Sequence, residues 1–165
     1  MITARRARAE DAAAWRALRI EALTHYPTAF LTTVAEAEAR DVASYAEAIA
    51  AGHSFIAFDE ETPIGIAALI PLTNRAQTRH RAEIGAVYIA ESHHGTGAAR
   101  ILMQTIEDHA KGLGIWQLEL FAEAQNTRAI TFYERLGYSK AGRLPNAVIG
   151  PNGPADDVFL TKDLR

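Results

Sequence analysis

A short apolar run, Ala86-Val87-Tyr88-Ile89, is followed by His94-Gly95-Thr96-Gly97-Ala98-Ala99 and then by a periodic segment from Ala98 to Leu113. Strand, small-residue loop and helix in this order constrain the chain more than any other stretch, because the backbone must turn from one element into the next at close quarters. The arrangement is also a way to build an anion site. Small residues let the backbone close on an anion, and the first turn of a helix offers unpaired N–H groups and a partial positive charge. The same residues suit a plain tight turn.

A chain of 165 residues is long enough for one domain with a real core and short for two. The coarse reading places a strand at Ile2–Ala7. A helix starts at Asp11, with Trp15, Leu18, Ala22 and Leu23 on one face. Pro27 disfavours helix at Tyr26 and breaks it. A second helix is expected from about Ala35 to Ala51, with Val42, Tyr45, Ala46 and Ile49 at helical spacing and Gly52 as a stop. Ser54–Phe58, Ile64–Leu72, Glu83–Ile89 and Gln117–Ala122 read as strands. A helix from about Gly97 to Lys111 is expected to bury Ile101, Leu102, Ile106 and Leu113. Another covers Thr127–Leu136 and ends at Gly137. Two closing strands, near Tyr138–Ala147 and Asp157–Leu160, flank a Gly150–Pro154 turn. This order gives a mixed α/β or α+β fold, a central sheet of six to seven strands with about four helices, as one domain over residues 1–165.

Net charge is −3 with a pI near 6.1, which speaks against general attraction to nucleic acid or membrane. Arg5, Arg6 and Arg8 read as a solvated strand edge. There is no cysteine, so disulfide and thiolate chemistry are excluded. No apolar run approaches membrane-spanning length. Met1–Glu10 is charged and lacks the apolar core of a signal peptide, so a cytoplasmic location is expected. Adjacent His93 and His94 rarely turn to one ion, and no third ligand lies at diagnostic spacing, so no metal is expected. Gly95-x-Gly97 also resembles half of a dinucleotide fingerprint, with Glu119 or Glu123 near the expected acidic distance. Arg100 stands where the third glycine would be, and the chain is short for the usual two-half fold. No Gly-Lys-Ser/Thr follows the loop, which excludes a P-loop.

Taken together, these residues resemble the GNAT superfamily of acetyl-CoA-dependent N-acetyltransferases. The family's Gln/Arg-x-x-Gly-x-Gly/Ala motif reads His94-Gly95-Thr96-Gly97-Ala98-Ala99 here, with His94 in place of Gln or Arg. Asn126, Tyr133 and Gly137-Tyr138 match its downstream elements, and Leu18-Arg19 to Pro27-x-Ala29-Phe30 is similar to one loosely defined branch. The resemblance implies acetyl transfer from acetyl-CoA to a primary amine by direct attack, in a monomer or homodimer. It implies that Val87, Tyr88 and Ile89 bond the pantetheine arm through their backbone. His94, Gly95, Thr96, Gly97, Ala98, Ala99 and Arg100 would hold the pyrophosphate, Asn126 would contact the arm or organise the strand gap, and a backbone N–H near Ile89 would bind the oxyanion.

Tyr133 takes the position of the general acid that protonates the departing sulfur. Glu83, six residues before Ile89, takes the position of a base. Two-residue alternation puts Glu83 on one face with Gly85, Val87 and Ile89. Glu119 and Glu123 are alternatives, and Phe121 stands where the ribosomal-protein branch has its Glu. The acceptor would sit among the Tyr26–Phe30 loop, the second helix and the Asn146–Pro154 turn. A non-catalytic acyl-CoA-binding module on the same fold is the other reading of these residues.

Overall fold

The computed structural model describes residues 1–165. Seven strands form one sheet: β1 (Ile2–Arg6), β2 (His53–Asp59), β3 (Thr62–Pro71), β4 (Arg81–Ile89), β5 (Gln117–Glu123), β6 (Ser139–Gly150) and β7 (Gly153–Asp163). Their spatial order is β1-β2-β3-β4-β5-β7-β6. Only β4 and β5 run parallel; every other pair is antiparallel. One parallel pair is incompatible with the all-parallel, doubly wound sheet that a dinucleotide fingerprint requires.

Five α-helices cover the sheet: α1 (Ala12–His25), α2 (Val34–Ala39), α3 (Val42–Ala51), α4 (Ala98–Gly112) and α5 (Thr127–Arg135). On one face, Trp15, Leu18 and Ala22 of α1 and Tyr45 and Ile49 of α3 bury Ile56, Ile66 and Tyr88 of the sheet. On the other, Leu102, Met103, Ile106 and Ala110 of α4 join Ile130 and Tyr133 of α5 over Phe55, Ile64, Ile84, Leu118 and Leu160. The hydrophobic stripe of α1 falls where its periodicity predicts.

The helix expected from Ala35 to Ala51 is two helices, so there are five rather than four. Arg40 and Asp41 are extended, and the Asp41 carboxylate accepts the N–H of Ser44 at 2.8 Å. An aspartate that caps a new helix cannot continue the old one. On α4, Leu102 and Ile106 are buried as expected, but Ile101 and Leu113 are not. Ile101 is 36% exposed and Leu113, beyond the last helical turn, 46%. Met103 and Ala110 take their places. Glu107 of α4 receives Lys162 Nζ of β7 on both oxygens at 2.8 Å, fixing the helix that carries the loop against the sheet.

β4 is not a regular strand. Ile66 lies opposite Tyr88, but Ala68 lies opposite Gly85, and Ala86 has φ of 55°. One extra residue is therefore taken up at Ala86-Val87, a β-bulge. It resets the alternation. Ala82 and Ile84 face α4, as do Val87 and Ile89, while Ala86 and Tyr88 face α1. Glu83 is thus on the α1 face with Gly85, and not on the face of Val87 and Ile89 as strict alternation implies.

Gly65 of β3 lets this strand end come close. A Cβ there would meet the Tyr88 carbonyl oxygen at 2.9 Å and the Ile89 side chain. Backbone cannot give way as a flexible side chain can. Gly65→Ala is expected to lose about 1–3 kcal/mol of unfolding free energy by overpacking. Gly85→Ala, whose nearest neighbour would be Ile70 at 3.7 Å, should change little. Chemical denaturation of the two variants checks this, and equal midpoints would contradict it.

Candidate active site

β4 and β5 pair only at Arg81–Gln117, Ala82–Leu118 and Glu83–Glu119. Beyond that point the two parallel strands diverge, and β4 has no partner on its β5 side. Apart from the Ile89 carbonyl, which a side chain of the following loop takes, its remaining N–H and C=O groups there are open to a ligand chain, since backbone polar groups left without a partner are costly. The closed end is held by Arg81, whose Nε and Nη2 donate to the two oxygens of Glu119 at 2.9 Å each.

The loop after β4 ends this opening. Gly95 and Gly97 have φ of 78° and 89°, and a Cβ added at either would meet nothing within 4 Å. The surface in front of the loop is therefore bare backbone. The N–H groups of Gly95, Gly97, Ala99 and Arg100 have no backbone acceptor, and that of Ala98 has only the Thr96 hydroxyl at 3.4 Å. Five N–H groups without a good acceptor at the start of a 15-residue helix suit an anion. Arg100 and Arg128 line the same cleft.

His94 has a second task. Its Nε2–H donates to the Ile89 carbonyl at 2.9 Å, tying the loop to the strand end. His93 turns the other way, with Nδ1 on the Ser92 hydroxyl at 2.9 Å and Nε2 3.4 Å from Asp59. The two rings do not converge, and no group of three or more His, Asp or Glu side chains is placed to hold a metal ion.

Two clefts meet at the divergence. The first, about 380 Å³, runs over Val87, Tyr88, Ile89, His94, Gly95, Gly97, Ala98, Ala99 and Arg100. The second, about 550 Å³, lies between α1, the bulged part of β4 and the β6–β7 hairpin. Both are lined by Val87, Asn126 and Tyr133. Asn126 caps α5 through its Oδ1, which accepts the Ala129 N–H at 3.1 Å. Tyr133, about two helical turns on, packs edge-on against Tyr138 with ring centroids 5.8 Å apart. Burial pushes its phenol well above the usual range, and no hydrogen-bond partner opposes that shift. The phenol is thus held protonated at the junction of the clefts.

The three candidate carboxylates differ. Glu119 is consumed by Arg81. Glu123 receives the Thr28 hydroxyl at 2.7 Å and fixes the Tyr26–Phe30 loop. Glu83 lines the second cleft, and burial, then the neighbouring Glu119, raises its pKa. It has no cation or donor of its own.

Sequence reasoning missed two members of the second cleft, Arg19 and Asp157. Asp157 is buried, and burial, then Glu123 and Asp156, raises its pKa. Its only signal was an acidic residue directly before the apolar run Val158-Phe159-Leu160. Arg19 was visible inside the Leu18-Arg19 pattern, without a role. The expected second helix does not line either cleft; the loop before it, through Phe30, does.

A model of a family described as the acetyltransferase (GNAT) family matches residues 15–138. Mycothiol acetyltransferase of Brachybacterium faecium is 30% identical over 133 residues, 81% of this chain and 39% of that protein. N-alpha-acetyltransferase 30 of Schizosaccharomyces pombe is 34% identical over 91 residues, 55% of this chain and 60% of that protein. The chain thus spans less than two thirds of the length of these curated relatives. Among solved structures, YncA of Salmonella typhimurium, determined with its cofactor acetyl-CoA, superposes with a TM-score of 0.83 at 22% identity, covering 100% of this chain and 95% of that one. At that identity the likeness speaks for the fold.

The bare loop gives a prediction. Gly97→Glu would set a carboxylate among the N–H donors and should weaken coenzyme A binding by tenfold or more, about 1.4 kcal/mol. Gly97→Asn tolerates the positive φ and adds no charge, so it should bind far better than the Glu variant. Calorimetry on the two folded variants decides this, and equal affinities would remove the loop from the binding site.

Proposed function

The chain belongs to the GNAT acetyltransferase family, and from that premise we propose that residues 1–165 form one catalytic unit that moves an acetyl group from acetyl-CoA to a primary amine. The observation that carries this reading is the protonated Tyr133 phenol at the meeting point of the two clefts. The first cleft fits the co-substrate. Its diverging strand edge suits an amide-bearing pantetheine arm, and its five N–H groups and Arg100 suit a diphosphate. The thioester supplies an activated acetyl carbon.

Acyl transfer to an amine requires a neutral amine, a stabilised oxyanion and a protonated leaving thiolate. Glu83 takes the proton of the incoming ammonium, directly or through one water. The amine nitrogen then bonds to the carbonyl carbon, and a backbone N–H of β4 near Ile89 faces the oxyanion. As the carbon–sulfur bond breaks, Tyr133 gives its proton to the sulfur, the nitrogen of the new amide releases its second proton to water, and Tyr133 regains one from solvent. A phenol is matched to this step because it is fully protonated at neutral pH and negative charge grows within its reach. Asn126 supports the reaction by fixing the start of α5, and His94 by fixing the loop to β4. A cytoplasmic setting suits a reaction fed by acetyl-CoA.

Thiol release, measured with acetyl-CoA and a panel of amines, tests the reading. Tyr133→Phe keeps the ring and its packing against Tyr138, so coenzyme A affinity should hold while turnover falls by roughly 10²-fold or more. Near-normal turnover in a single-turnover measurement would remove Tyr133 from the mechanism. Absence of thiol release with every amine, despite tight acetyl-CoA binding, would make the protein a binding module.

The pH profile tests Glu83. Only the ionised carboxylate accepts a proton, so turnover should rise with pH through the raised Glu83 pKa. An alkylammonium titrates near 10.4, so free amine makes the base dispensable at the alkaline end. Glu83→Gln should therefore lose most between these two limits and little near the upper one. A uniform loss of less than about threefold, well under the usual general-base contribution, would exclude Glu83.

A further inference from the structure

The second cleft has an unanswered charge. Arg19 lines it from α1, with its guanidinium over the Phe30 ring at 4.8 Å. Nη1 is shut off from solvent and has no hydrogen-bond partner, the one buried side-chain polar atom in the protein left so. Its ionisable neighbours are Tyr45 and a second cation, Arg40, which itself lies over the Tyr45 ring at 4.3 Å. No carboxylate faces it. A guanidinium keeps its charge at all working pH values, and an unmet donor of this kind is rare in a folded protein. Nε and Nη2 have no partner either and, unlike Nη1, are not shut off, so the guanidinium keeps unmet donors that the cleft can reach.

The opposite side of the same cleft is acidic. Glu83 on β4 and Asp157 on β7 both line it, and neither has a cation beside it. The surface between is apolar, with Ala68, Val87 and Phe121 among its members. One cleft therefore carries a free cation at one wall and free carboxylates at the other, and these have not closed on each other as an ion pair.

We propose that Arg19 binds the carboxylate of the acceptor, and that the acceptor is a free amino acid with an apolar side chain, its ammonium turned to Glu83. This deepens the acetyl-transfer reading and rests on it. A carboxylate matches the guanidinium fork with two parallel hydrogen bonds. Phe30 fixes the plane of that fork by stacking, as arginine allows and lysine does not. An amine without the anion would leave Nε and Nη2 unpaired. A site built to make a buried hydrogen bond discriminates strongly against analogues that lack the group. Peptide N-termini, whose α-carbonyl is a neutral amide, fall on the rejected side.

The test compares L-leucine with L-leucinamide as acceptors, and N-acetyl-L-leucine with N-acetyl-L-leucinamide as ligands of the coenzyme A-saturated protein. The acids are expected to exceed the amides by at least about tenfold in kcat/KM and in affinity. In Arg19→Met that gap should close, with coenzyme A affinity and the amide values unchanged. Arg19→Lys, which keeps charge and helix but loses the fork, should fall between, and it serves if the Met variant does not fold. Equal handling of acid and amide, no measurable binding of either, or a gap that survives in both variants would overturn the assignment. Thiol release with amides and acids alike would overturn Arg19 and leave acetyl transfer standing. Arg19-dependent binding of the acid without thiol release would leave the anion site standing and overturn acetyl transfer.

Discussion

Two parallel strands that stop pairing halfway are the constraint on which the rest of the structure depends. β4 and β5 are joined from Arg81–Gln117 to Glu83–Glu119 and then part. The Arg81–Glu119 pair, with a carboxylate that is almost wholly buried, pins the last joined step. The bulge at Ala86-Val87 bends β4 away just beyond it. A sheet that opens this way must give its freed backbone groups a partner. The opening also creates space at the sheet's centre, where α5 and the α4 loop converge.

The bulge does a second thing. By inserting one residue it turns Glu83 to the α1 face and leaves Val87 and Ile89 on the other. A base and a strand edge that binds the acyl donor would otherwise compete for one surface. The first cleft is rich in N–H donors and arginines, and the second carries carboxylates on β4 and β7 with Arg19 apart from them. On the proposed reading, each charge on the two reactants meets an opposite charge on the protein. Tyr133, neutral by burial, stands between.

The strand-loop-helix junction was legible because glycines in a positive-φ loop and small residues at a helix start leave a direct trace in sequence. The α1 stripe and all seven strands followed from periodicity in the same way. The division between α2 and α3 was not legible, since Asp41 inside an alanine-rich run reads as a helix residue until its side chain is seen capping Ser44. The bulge left no trace either, because alanine does not announce a φ of 55°. That is why alternation put Glu83 on the wrong face while choosing the right residue for the cleft. Arg19 was hidden for a different reason. An arginine on an amphipathic helix ordinarily reaches solvent with its charged end, and only the fold reveals a guanidinium shut in over Phe30.

On the proposed reading, the opened edge of β4 and the bare start of α4 together receive one extended, diphosphate-bearing ligand. Backbone amide resonances followed by NMR during titration with coenzyme A test this most directly. The account predicts that the amides of Val87, Tyr88 and Ile89 move together with those of Gly95, Gly97, Ala99 and Arg100, and that these gain protection from hydrogen exchange. Perturbations confined to the outer face, around Arg135 and Lys162, with the β4 amides unmoved, would contradict it.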